Sequence, residues 1–149
     1  MADSAAHARQ NYPLPAYNFR VDVGGTTLGF SEVSGIQLEH EVITYSHGLS
    51  FFEGEPLVPV LLPNAVTVTM KRGVILGASP TALYDWMKAK EIRAVDVSLC
   101  DEAGTPVMTW KIARAIPVKL EAPTFDAAGN EGAIETLELN ARGITVVKQ

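Results

Sequence analysis

Apolar and polar residues alternate along much of the chain, which is the pattern of half-buried β-strands. The first alternation covers Tyr17–Val23, with Tyr17, Phe19, Val21 and Val23 apolar, and Gly24-Gly25 then suits a tight hairpin turn. The same criterion predicts further strands over Thr27–Ser34, Ile36–Tyr45, Val66–Arg72, Ile92–Asp101, Pro106–Ile116, Val118–Phe125 and Ile134–Val147.

A single stretch departs from this period of two. Ser79 is a good N-cap and Pro80 suits the first helical position, so a helix is predicted to begin there and to end near Lys90. Leu83, Trp86, Met87 and Lys90 lie at helical spacing and form one apolar stripe that ends in the stem of a lysine. The chain is therefore predicted to be mainly β, a small antiparallel β-barrel or sandwich of about seven or eight strands with one α-helix.

One strand contains an interruption of its own pattern. Met108, Trp110 and Ile112 share one face of the predicted strand, but Arg114 comes next at that parity. Ile116 then follows at the same parity, and this break in the pattern predicts a β-bulge near Ala113.

The segment after the third strand is both irregular and apolar. Residues 46–65 contain several prolines and glycines, which predicts an extended loop, and loops of this length are usually functional. Its seven large apolar residues would gain on the order of 10 kcal/mol if all were buried. They either fold over their own domain or pack on another subunit. The residues predicted to make inter-subunit contacts are Phe51, Phe52, Leu57, Val58, Val60, Leu61 and Leu62.

The rest of the chain is expected to form one domain. Residues 1–15 are polar and proline-containing and are predicted to be a flexible N-terminal arm, followed by a single domain over residues 16–149. Hydrophobic residues make up 47% of the chain, which is enough for a packed core. Residues 1–9 lack the apolar stretch of a signal peptide, and no segment is long enough to span a membrane.

Charge and composition exclude several functions. The formal net charge of −5 argues against a nucleic-acid-binding protein, which needs a basic surface. Cys100 is the only cysteine, so neither an intrachain disulfide nor a cysteine metal cluster is expected. His40 and His47 have no metal-ligand spacing, and no G-x-S-x-G motif is present. We expect no metal, no cofactor and no enzymatic activity.

The order of short motifs along the chain resembles the tail tube proteins of T4-like contractile phages and their relatives in pyocins and extracellular contractile injection systems. The resemblance runs from Tyr17 to Val147, and its ordered combination is more specific than any one piece. The stretches that carry it are Asn18–Val21, Phe30–Gly35, Glu41–Tyr45, Val68–Gly73, Leu83–Met87, Trp110–Ile112, Pro117–Leu120, Phe125–Ala127 and Ile134–Leu139.

This resemblance implies a specific assembly. The fold would be similar to that of the secreted tube protein of type VI systems, and the subunits would form homohexameric rings stacked inside a sheath. Partners would be other copies of the chain, sheath, baseplate and tube-terminating proteins, with a protein toxin or DNA as cargo in the lumen. The protein would be cytoplasmic when made and would then join an assembled particle. Phage, pyocin and injection system remain alternatives.

A different class of function remains open beside the tube. A small-molecule-binding β-barrel would be monomeric, with residues 46–65 as a lid over an apolar cavity. Self-association separates the two hypotheses.

Overall fold

The computed structural model describes residues 13–45, 58–75 and 79–149. The helix, α1, covers Ala82–Ala89. The nine strands of these ranges are β1 (Phe19–Val23), β2 (Thr26–Leu28), β3 (Glu32–Ser34), β4 (His40–Tyr45), β5 (Val58–Pro63), β6 (Val66–Gly73), β7 (Arg93–Cys100), β8 (Pro106–Glu121) and β9 (Ile134–Lys148).

Seven of these strands form one antiparallel sheet in the order β2-β1-β7-β8-β9-β6-β3. The other two, β4 and β5, pair with each other and with no other described strand. The mainly β fold with one helix is thus confirmed for the described residues, with one or two strands more than predicted. No ladder in these ranges joins β2 to β3, so the hydrogen-bonded order is open rather than that of a closed barrel.

The sheet curls around a single apolar core. Val21 on β1 and Val68 on β6 belong to the same buried cluster, although three strands lie between β1 and β6 in the sheet. Alternate residues of β6 and β9 point into this cluster, as their sequence pattern predicts. Leu83 and Trp86 of α1 complete the cluster, so the helix packs on the inner face of the sheet.

Strand β8 is longer than the sequence predicts. It runs continuously through Pro117, whereas the sequence predicts one strand that ends at Ile116 and another that begins at Val118. The pairing with β7 ends at Ala115, and beyond it β9 is the one neighbour that β8 has among the described strands. A proline can occupy such a position because one side of the strand needs no donor.

The predicted bulge near Ala113 is confirmed. Arg93 pairs with Ala115 and Val95 with Ile112, so two residues of β8 lie opposite one residue of β7. On the other side, Gly143 of β9 has φ +71°, and a Cβ there would lie 2.9 Å from the Cβ of Ala113.

Three predicted elements differ from the structure. The strand expected over Thr27–Ser34 is divided into β2 and β3, which lie at opposite edges of the sheet. The strand expected over Ile36–Tyr45 begins only at His40. Val58–Pro63, expected within the extended loop of residues 46–65, forms the strand β5. Its prolines are tolerated because β4 is the one strand that pairs with β5 in the described ranges, so no second ladder requires their N–H groups.

The helix also begins later than predicted. Thr81, not Ser79, is the N-cap, and its side chain makes no capping hydrogen bond. At the other end Lys90 adopts the left-handed conformation, with φ 55°, which ends the helix as expected. The indole Nε1 of Trp86 donates to the carbonyl oxygen of Glu91 at 2.8 Å. This hydrogen bond connects the helix to the segment that leads into β7.

Candidate functional site: assembly surfaces

The β4–β5 hairpin is the element that the rest of the fold supports least. Its ladder runs from His40 paired with Pro63 to Tyr45 paired with Val58, and neither strand joins the seven-stranded sheet within the described ranges. A two-stranded sheet is marginally stable in water on its own. The hairpin therefore needs contacts beyond its own ladder.

Both faces of the hairpin base carry apolar groups in contact with solvent. Val42 is 59% exposed and Leu62 is 41% exposed. Glu41, not Val42, is the residue opposite Leu62, so Val42 and Leu62 lie on opposite faces of the ladder. An apolar residue on each face is the pattern of a segment that other protein surfaces cover.

Four of the seven predicted contact residues lie on this hairpin. Val58, Val60, Leu61 and Leu62 are all residues of β5. Phe51, Phe52 and Leu57 lie outside the described residues, as does most of the predicted N-terminal arm. The assignment of these seven residues to inter-subunit contacts stays a prediction.

An apolar groove of about 700 Å³ lies between the β3 segment and the inner face of β1, β7 and β8. The groove occurs where the curled sheet leaves its edges unpaired. Its apolar lining residues include Leu14, Phe19, Phe30, Val33, Ile36, Val97, Leu99 and Trp110.

Two exposed aromatic residues were not foreseen from the sequence. The alternation includes Tyr17 among the apolar positions of the first strand, but it is 84% exposed because β1 begins at Phe19. The pattern predicts Phe125 at the end of a strand, whereas it lies in the connection between β8 and β9 and is 85% exposed. Pro123 and the turn residues that follow Phe125 were the signal available in the sequence.

The outer face of β3, β6, β9 and β8 is polar and partly neutralised by its own ion pairs. The ammonium of Lys71 lies 3.3 Å from a carboxylate oxygen of Glu32, and that of Lys119 lies 2.8 Å from Glu121. The hydrogen bond between the latter two raises the pKa of Lys119 and lowers the pKa of Glu121. Both pairs are exposed, so each contributes little to stability.

The alternate residues of β6 and β9 that point into the core end in a buried polar pair. Arg72 and Glu135 face each other across the ladder and are each 4% exposed. A guanidinium nitrogen of Arg72 donates to the carbonyl oxygen of Ser79, while Oε2 of Glu135 has no partner among the described residues. Partial desolvation, followed by the charge of Glu135, raises the pKa of Tyr84 on α1. This cluster links the helix to the end of the core.

The described side chains offer no grouping of three or more histidine, cysteine or acidic residues that could bind a metal ion. Cys100 is buried and carries a free thiol. No helix in the described ranges has the length and apolar character needed to cross a membrane.

The fold is one found among bacterial secretion proteins. A type six secretion system protein of known structure matches with a TM-score of 0.58 at 8% identity, over 88% of this chain and 83% of that chain. Hcp1 from Flavobacterium johnsoniae matches with a TM-score of 0.51 at 15% identity, over 89% and 97% of the two chains. At these identities the likeness concerns the fold alone.

A match to a protein family model assigns the chain more specifically than its fold does. Residues 15–145 match the model of the T4-like virus tail tube protein gp19, so the chain belongs to this tail tube protein family. It is therefore a structural tube subunit. A search of curated proteins finds no match.

Two solved assemblies contain chains with higher identity to this one. A chain of the sheath–tube complex of an extracellular contractile injection system, PVC, in its extended state is 28% identical with a TM-score of 0.80, over 97% of both chains. A chain of the tube-terminating cap of the anti-feeding prophage is 29% identical with a TM-score of 0.78, over 93% of both chains.

Proposed function

We propose that this chain builds the inner tube of an extracellular contractile injection system by forming homohexameric rings that stack inside a sheath. The observation that carries the proposal is the match to a chain of the PVC sheath–tube complex at 28% identity over 97% of both chains. Its TM-score of 0.80 means that the whole domain, and not one motif, is shared. This favours an injection particle over the phage tail and the pyocin that the sequence left open.

The unsupported hairpin gives this proposal a physical basis. The β4–β5 ladder stands outside the main sheet and exposes apolar groups on both faces. Contacts with neighbouring copies would bury Val42 and Leu62 and supply the support that a two-stranded sheet lacks. The prediction that residues 46–65 contact other subunits follows from the same reasoning, and Phe51, Phe52 and Leu57 would extend this surface.

The proposed partners are the other components of such a particle. Sheath, baseplate and tube-terminating proteins would contact the assembled tube, and a protein toxin or DNA would pass through its lumen. The chain would be made in the cytoplasm and would become part of the particle on assembly. We infer a structural rather than an enzymatic role, because membership of the tail tube protein family favours it. The same membership favours the tube over the small-molecule-binding barrel.

Assembly of the purified protein tests the proposal. Size-exclusion chromatography with light scattering, followed by negative-stain electron microscopy, is expected to show ring-shaped particles of six chains. Stacks of rings are expected as the protein concentration rises. A chain that stays monomeric at every concentration and shows no rings in micrographs contradicts the proposal. Imaging of native particles that contain the chain separates an injection system from a phage, since only the phage carries a DNA-filled head.

A further inference from the structure

The bulge in β8 has a consequence for charge at the surface. Arg114 would share the inward parity of Trp110 and Ile112 if the strand were regular, but the bulge places it on the exposed face instead. There Arg114 pairs directly with Arg142 of β9, which is also exposed. Two like charges directly opposite each other on neighbouring strands are unfavourable.

These two arginines differ from two lysines on the same face, Lys71 and Lys119. Lys71 and Lys119 each have a carboxylate within ion-pair distance on the same or the adjacent strand. Within the described residues, neither Arg114 nor Arg142 forms an ion pair. Ion pairs therefore lie near the carboxyl ends of β6 and β8, whereas the two adjacent guanidinium groups lie in the middle of the β8–β9 ladder, just beyond the start of β6.

The position of the pair indicates what could neutralise it. The ladder between β6 and β9 ends with Val66 opposite Ala141, and Arg142 is the next residue of β9. The chain that precedes Val66 is the short connection from Pro63 at the base of the β4–β5 hairpin. The arginine pair thus borders the element that we assign to contacts between copies.

We propose that Arg114 and Arg142 together form a docking site for a carboxylate from a second copy of this chain. The inference rests on the proposed function, because it requires that copies of the chain associate. A second copy is a suitable source, since the chain has 17 acidic residues against 12 lysines and arginines. Guanidinium groups bind carboxylates in paired, directional hydrogen bonds, which suits two arginines held side by side.

Charge removal tests the inference in the full chain. The variant Arg114→Gln with Arg142→Gln is expected to need at least about tenfold more protein for the same degree of assembly, and to lose part of the salt dependence of assembly. The control Lys88→Gln with Lys148→Gln removes the same charge at two other exposed positions and is expected to assemble like the wild type. Circular dichroism melting checks that both variants fold.

Crosslinking identifies the partner group. In Arg114→Lys with Arg142→Lys, a carbodiimide can join the introduced amines to any carboxylate in contact with them. Mixing chains labelled with ¹⁵N and unlabelled chains lets mass spectrometry distinguish a crosslink between copies from one within a copy. A crosslink between copies at either introduced lysine is expected.

The outcomes separate this inference from the proposed function. If the wild type stays monomeric, both are overturned. If the wild type assembles and the glutamine variant assembles equally well, only the docking site is overturned, including the case in which the arginines affect only an anionic cargo. Crosslinks confined to single chains, or equal loss of assembly in the lysine control, also overturn it.

Discussion

Trp86 is the largest side chain that α1 packs against the inner face of the sheet. It is 1% exposed, its indole donates to the carbonyl oxygen of Glu91, and the guanidinium of Arg93 lies 5.4 Å from the centre of its ring. Replacing Trp86 with alanine is expected to reduce the free energy of unfolding by about 3–5 kcal/mol, because a large cavity would remain. Urea denaturation of the monomer measures the loss.

Ile92→Ala is the matched control for this change, because Ile92 is apolar but exposed. It is expected to change the free energy of unfolding by less than about 0.5 kcal/mol. An unchanged denaturation midpoint for Trp86→Ala would show that the helix does not contribute to the core.

Alanine substitutions at two glycines that share the same φ angle distinguish the cost of backbone strain from the cost of a steric clash. Gly25 and Gly35 both have φ +87°, but a Cβ at Gly25 would meet nothing within 4 Å, whereas one at Gly35 would lie 2.4 Å from the carbonyl oxygen of Thr67. Gly25→Ala is expected to cost about 1–3 kcal/mol from the backbone conformation alone. Gly35→Ala is expected to cost more, because the backbone of β6 must also move. Equal losses in urea denaturation would show that the loop after β3 moves freely away from β6.

Tyr84 predicts a specific dependence of stability on alkaline pH. Partial desolvation and the charge of Glu135 raise its pKa in the folded protein. The folded state therefore retains the proton of Tyr84 to higher pH than the unfolded chain does. The protonated phenol thus favours the folded state, and this contribution is complete below the pKa of the unfolded chain and is lost as pH rises through the pKa of the folded protein. Above about pH 10, Tyr84→Phe is expected to lose stability less steeply than the wild type.

Glu135→Gln provides a second variant for this titration. It removes the charge beside Tyr84 and is expected to move the ionisation of Tyr84 to lower pH, as followed by absorbance near 295 nm with Tyr84→Phe as the reference. If the stability profiles of Tyr84→Phe and the wild type coincide between pH 9 and 11, the proposed coupling is wrong.

At the scale of elements, the β4–β5 hairpin is where assembly and folding can be separated. Val42→Ser with Leu62→Ser changes two exposed side chains on opposite faces of the ladder. We expect weaker ring formation with little change in the melting temperature of the monomer, because these side chains bury apolar surface only against another copy. Sedimentation velocity measures assembly, and differential scanning calorimetry of dilute protein measures stability.

Ile92→Ser with Val118→Ser controls for the loss of exposed apolar surface elsewhere, and it is expected to assemble normally. A double hairpin variant that melts much earlier but still assembles would place Val42 and Leu62 in the fold of the subunit itself. Phe51→Ser with Phe52→Ser is expected to behave like the hairpin variant, following the sequence argument.

The elements show why some features were predictable and others were not. Alternation of apolar and polar residues is a local property, so it predicted most strands. The bulge was predictable because Arg114 stands where the alternation calls for an apolar residue. The same alternation extends the inward rows to Arg72 and Glu135, but the sequence shows nothing of the backbone carbonyl that Arg72 reaches. Which strands become neighbours depends on distant parts of the chain, and so the separation of β2 from β3 had no local signal.

The strand β5 was missed for a related reason. Pro59 and Pro63 argue against a strand in general, and only the absence of a second neighbour in the described structure makes them compatible with one. The candidate interface was therefore located by its apolar content, while its hairpin form was not.

At the scale of the whole molecule, the subunit is predicted to have two levels of stability. The seven-stranded sheet shares one core with α1, whereas the hairpin lies outside that sheet. Local stability follows buried apolar contacts and protected hydrogen bonds. In dilute monomer, amide hydrogen exchange is expected to be fast in residues 40–45 and 58–63 and slow in Leu137–Ala141, where β9 is paired on both sides.

Assembly is expected to slow amide exchange strongly in the β4–β5 hairpin and to leave exchange in β9 almost unchanged. A partner that binds the folded hairpin shifts its local opening equilibrium, so residues 40–45 and 58–63 should become protected in assembled rings while Leu137–Ala141 stays protected throughout. Hydrogen exchange with mass spectrometry, below and above the concentration at which rings form, measures this difference. Residues 66–73 of β6, which join the hairpin directly to the sheet, are the internal control and should be protected in both states. Slow exchange of the hairpin already in the monomer would mean that its own subunit stabilises it, and the contact between copies would then have to be sought on another surface.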